Sequence, residues 1–130
     1  LNQVSIHSIV APKILADAIT NCRFPFLLVP LATSASNLAF PSRISFALSL
    51  GVPIIHLCDN LLEDFLAPFI QKNGLGCTIT THYSDIDIEL LLMQLIKDYK
   101  TLSARCLAMY DREMSPESAA SNLSSLFPNC

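Results

Sequence analysis

Charge is what this chain has least of. Only 15% of its 130 residues are Asp, Glu, Lys or Arg, against 52% hydrophobic. That excludes a disordered segment and describes an ordered, core-rich domain with a lean polar surface. Two explanations fit such a surface: coverage by another domain or partner, or a large core in a small α/β domain. The net charge is −3 and no basic cluster forms, which argues against nucleic acid as a partner. No stretch approaches the roughly 20 apolar residues of a membrane span. A signal peptide is also missing, and the first residue is Leu1 rather than Met, so the sequence reads as a piece of a longer protein. Cys22, Cys58, Cys77, Cys106 and Cys130 are scattered and odd in number. With three lone histidines they suggest buried, reduced thiols of a cytoplasmic protein, not a disulfide frame or a zinc site. Repeats, low-complexity tracts and internal linkers are absent too. The length suits one domain, residues 1–130, with a real core.

What is present is organised around Asn37 to Leu57, NLAFPSRISFALSLGVPIIHL. It reads as a loop, a helix start at Pro41-Ser42, a short helix, a glycine stop at Gly51 and a buried strand, Val52 to Leu57. Ser42 suits an N-cap, because its hydroxyl can accept from free amides of the first turn. Ile44, Ala47 and Leu48 give the helix an apolar side. Gly51 can adopt the left-handed conformation that ends a helix, and Pro53 stops it continuing. Arg43 is the odd residue, since the helix dipole disfavours a cation in the first turn by roughly 0.3–1 kcal/mol. An anion bound there would reverse that balance, with amides, dipole and guanidinium all directed at it. The alternative is an ordinary capped helix with a solvated arginine.

Elsewhere, Val4 to Val10 and Phe24 to Leu31 read as strands, the second too uniformly apolar to have a wet side. Pro12 opens a helix to about Asn21 with Ile14, Leu15, Ala18 and Ile19 on one face. Asp59-Asn60 predicts a helix from Leu61 to about Lys72, with Leu62, Phe65, Leu66, Phe69 and Ile70 inward and a kink or break at Pro68. Asn73 to Gly76 reads as a C-cap and turn, and Cys77 to Thr81 as an edge strand. Ser84 or Asp85 caps a long helix through Leu90, Leu91, Leu95 and Ile96, continuing past Tyr99. Ser115-Pro116-Glu117 begins a last helix to Phe127. The alternation predicts an α/β fold: a Rossmann-like parallel sheet of about four strands with helices on both faces. Ligands of such sheets bind beyond the carboxyl ends of the strands. The loop after Leu31, the Ser42-Arg43 helix start and the turn at Cys58-Asp59-Asn60 would share that rim.

LLVPLATSASNLAFPSRISFALSLGVPII resembles the nucleotide-sugar-binding half of GT-B glycosyltransferases of the group 1 / family 4-like superfamily. There an apolar strand ends in Pro, a loop follows, and Pro-Ser-Lys/Arg starts a helix leading to Gly-x-Pro and a strand. FLAPFIQKNGLGCTI is similar to the passage that comes next, and the likeness runs from about Val4 to Leu126. It implies the C-terminal donor-binding domain of a sugar (hexosyl) transferase, inactive as an isolated fragment. Ser42 and Arg43 would hold the donor diphosphate, with Ser36 and Asn37 near the phosphates or sugar. His7 and Ser8 would lie near the base. The resemblance implies no cofactor or metal. Its implied partners are a nucleotide-sugar, an N-terminal acceptor domain of the same protein, and a sugar, lipid-linked or polysaccharide acceptor. A cytoplasmic protein, peripheral at the inner face of a membrane, is the implied setting. The glutamate pair of many retaining members is absent, its positions being Leu38 and Phe46. An interaction module that has lost its chemistry is the alternative. A receiver-like or flavodoxin-like domain is disfavoured, since neither an acidic cluster nor a phosphate loop follows the first strand.

Three other groups invite chemistry. His56 and Cys58 would point the same way from a strand, but no base or orienting group is evident, and a packed strand-end histidine is the simpler reading. Asp85, Asp87 and Glu89 resemble paired carboxylates, yet a first helical turn welcomes acids anyway. His82 and Tyr83 sit in a loop that could line the rim.

Overall fold

The structure, a computed structural model, describes residues 11–29, 42–59, 61 and 64–126. Among them the order is α1 (Pro12–Thr20), β1 (Leu27–Val29), α2 (Ser42–Ser49), β2 (Ile54–Cys58), α3 (Leu66–Asn73) and β3 (Gly76–Thr80). Then follow α4 (Asp85–Lys97), α5 (Tyr99–Met109), a π-helical segment (Tyr110–Met114) and α6 (Pro116–Leu126). The three strands are parallel in the order β1-β2-β3. Leu28 faces Ile55, and Ile55 faces Cys77. This is the expected α/β open parallel sheet. Three strands are described, and the strand expected at Val4 to Val10 lies outside the described residues.

The middle strand is buried on both sides, as its apolar run predicts. Ile54 packs with Ile44 and Leu48 of α2 and with Leu66 and Ile70 of α3. On the opposite face Ile55 meets Leu95 of α4. Helix α5 serves both faces, giving Leu102 to the second cluster and Cys106 and Met109 to the first. It passes the amino ends of the strands, where the Cys106 thiol donates to the Leu75 carbonyl at 3.7 Å. Gly51 ends α2 with φ +68°, and a Cβ there would come 2.7 Å from Ser103 Oγ. Glycine thus serves the turn and the approach of α5 together. Gly74 ends α3 in the left-handed conformation, where a C-cap was expected.

Several expectations are corrected. β1 begins at Leu27, because Phe24 and Phe26 instead pack edge-to-face on Tyr99, both at 5.4 Å. The Tyr99 hydroxyl also donates to the Pro25 carbonyl. Leu28 is 57% exposed, so β1 does have an open side among the described residues. Helix α1 forms, but none of its residues is buried. Helix α3 starts at Leu66 rather than Leu61, because Asp64 rather than Asp59 supplies its capping oxygen, accepting from the Ala67 amide at 2.7 Å. Pro68 then lies in the first turn, where its missing N–H costs nothing and no kink is needed. Phe65 is consequently exposed. The long helix is interrupted at Asp98, whose carboxylate accepts from Gln94 at 2.6 Å. Leu90 is exposed while Leu95 is buried. The last helix starts where expected, with Ser115 Oγ accepting from the Ser118 amide.

The thiols follow the same mixture. Cys58 and Cys106 are buried, but Cys22 is exposed. Burial pushes the Cys77 thiol up to about 11 and the Cys106 thiol up to about 12, so both stay protonated and unreactive near neutrality.

The register of β2 on β3 makes a sharp demand at Gly76, which pairs with Ile54. Its φ is +154°, and a Cβ would collide with the Ile54 carbonyl. Gly76→Ala is expected to cost on the order of 3 kcal/mol in urea unfolding. A change near zero would show that the two strands do not pair in this register.

Candidate functional site

Alternation along β2 puts Ile54, His56 and Cys58 on one face, directed toward α2 and α3. Ile54 completes the apolar cluster. His56, although 1% exposed, is polar and needs a partner. Asp64 supplies it from the residues just before α3: His56 Nε2 and Asp64 Oδ2 lie 2.8 Å apart. The Asp64 side chain is 9% exposed, and its other oxygen accepts the Ala67 amide. The Cys58 thiol donates to Asp64 as well. One carboxylate therefore joins a strand residue, a strand-end thiol and a helix start.

The Asp64 carboxyl is held below its usual range. Burial alone would raise it, but the hydrogen bonds from His56, the Ala67 amide and Cys58, with the field of His56, outweigh burial. The His56 ring keeps one loose end, since buried Nδ1 has no hydrogen-bond partner. His56, Cys58 and Asp64 each offer a ligand atom, and these atoms all lie within 4.8 Å of one another. The sequence reading found the first two and missed Asp64, which it placed inside a longer helix. The available signal was Asp64 three residues before Ala67, the spacing of a capping carboxylate.

The residues expected to hold an anion are described less fully. Parallel β1 and β2 require α2 to run from the carboxyl edge of the sheet back to its amino edge. The N-terminus of α2 therefore lies on the carboxyl-edge side, as expected. The helix begins at Ser42 itself, not after it, and Arg43 is exposed in its first turn. Ser36, Asn37, His7 and Ser8 lie outside the described residues. After β3, Tyr83 lines an open cleft of about 430 Å³ with Leu61, Thr78, Thr80 and Leu91. Asp87 belongs to a capping box: Ser84 Oγ accepts from its amide and its carboxylate accepts from the Ser84 amide. That explains the acidic run without catalysis. No helix among the described residues is long and apolar enough to cross a membrane.

Compared with known proteins, the chain matches no family model, no curated protein and no solved structure.

Removing the shared carboxylate leaves a buried imidazole unpaired and α3 uncapped. Asp64→Ala is expected to destabilise the fold by about 3 kcal/mol. The contribution of the lowered Asp64 pKa is complete above the ordinary value of 3.8 and is lost as pH falls through the folded value. The urea midpoint should therefore drop more between about pH 5 and pH 3 for the parent than for Asp64→Asn. Equal drops would remove Asp64 from the account.

Proposed function

We propose that this chain is the donor-binding part of a GT-B glycosyltransferase, which binds a nucleoside-diphosphate sugar for transfer to an acceptor held by an N-terminal domain. The observation that carries the reading is α2. It connects two adjacent parallel strands, starts on the side of their carboxyl ends, and exposes Arg43 in its first turn. Free amides, the helix dipole and a guanidinium at one place make a diphosphate-binding cradle. The same groups would stabilise the charge that develops on the diphosphate as the glycosidic bond breaks, without needing a metal. The lean polar surface agrees with a second domain, and Leu90, Met93 and Ile86 on α4 are among the exposed apolar residues.

One observation favours a second reading, a binding module without turnover. Phe46, half-buried on α2, stands where many retaining relatives in the resemblance have a glutamate.

Calorimetric titration with UDP, GDP and ADP tests the binding step common to both. One nucleotide should bind, and Arg43→Ala should weaken it roughly 10- to 100-fold. Affinity unchanged in Arg43→Ala, or no binding at about 1 mM nucleotide, would overturn the assignment.

A further inference from the structure

We propose that His56, Cys58 and Asp64 form a binding site for a zinc ion. This goes beyond the donor-binding reading and does not depend on it. The three side chains bring nitrogen, sulfur and oxygen, a set suited to a borderline-soft divalent ion that takes imidazole, thiolate and carboxylate alike. Their ligand atoms already lie within 4.8 Å of one another. Tetrahedral zinc, with bonds of about 2.0 Å to nitrogen and oxygen and 2.3 Å to sulfur, needs these three ligand atoms about 3.3–3.5 Å apart. The His56–Asp64 distance of 2.8 Å must open by only about half an ångström to meet this.

Two further features prepare the site. Asp64 divides its oxygens, Oδ1 fixed by the Ala67 amide and Oδ2 directed at His56. An orienting hydrogen bond on one oxygen leaves the other for a metal, as outer-shell partners do in metal centres. Independently, His56 Nδ1 is buried without a partner. In the metal-free chain the bond to Asp64 keeps the ring proton on Nε2. The proton between Nε2 and Asp64 can pass to Nδ1, leaving the Nε2 lone pair for the ion. On binding, zinc gains bonds to Nε2, Oδ2 and Sγ, and the Cys58 thiol proton leaves to solvent. Three protein ligands leave a fourth tetrahedral position for water.

Cobalt(II) titration of the reduced chain provides the test, because a thiolate ligand gives an intense charge-transfer band that other ligands do not. One equivalent of cobalt should develop the band, and zinc should abolish it by displacement. Cys58→Ser should lose the band, whereas Cys22→Ser, at an exposed thiol, should keep it. Absence of the band in the parent, or its survival in Cys58→Ser, would overturn the proposal. Should Cys58→Ser lack native circular dichroism, Asp64→Asn carries the test, since it keeps an oxygen for the Ala67 amide. Zinc affinity at least tenfold weaker is then expected, and unchanged affinity overturns the site. Nucleotide binding is read separately through Arg43, so failure of either proposal leaves the other standing.

Discussion

His56 lies on the described strand that has a neighbour on each side, and what makes its burial tolerable is the contact with Asp64. A polar ring at the centre of a parallel sheet loses its water on both faces, and an unpaired one would cost about 1–3 kcal/mol. Asp64 offsets that loss and, with its second oxygen, fixes where α3 begins. The position of α3 then decides which of its residues reach the core: Leu66, Ala67 and Ile70 are buried, and Phe65 is left outside. One carboxylate thus sets the register between the middle strand and the helix that covers it. Replacing the pair together by apolar groups could be nearly neutral, whereas removing one partner strands the other.

The two candidate sites differ in kind. The N-terminus of α2, on the carboxyl-edge side with Arg43 exposed in its first turn, suits an anion that arrives from solvent. The His56–Cys58–Asp64 group is closed and built into the packing, so a ligand there becomes part of the folded state's stability. Pro53 and Gly51 connect the two, since the turn that ends α2 also delivers β2. The chemistry of one site can change without rebuilding the other.

Much of the fold was legible in the sequence because its signals were local. Gly51 and Gly74 marked helix ends, Ser84 or Asp85 marked a helix start, and the Val52–Leu57 run marked a strand buried on both faces. Where the reading failed, a distant residue had intervened. Tyr99 draws Phe24, Pro25 and Phe26 away from the strand, and no periodicity near residue 25 announces a partner at 99. Asp59-Asn60 offered the same cap chemistry as Asp64, and the choice fell to the residue that could also satisfy His56. The cluster was half legible for the same reason: His56 and Cys58 share a strand face by spacing alone, but their third member arrives through tertiary structure.

Helix α5 crosses beneath the amino ends of the strands, touching the turn before β2 at Gly51 and the residue before β3 at Leu75. Two successive helix–strand units thereby rest on a common floor. Neither can open by itself, because releasing one turn means lifting the helix that holds the other. Cooperative units of this type exchange their amide protons together. The amino side of the sheet is thereby tied together by one helix, and its two turns are expected to open as a unit.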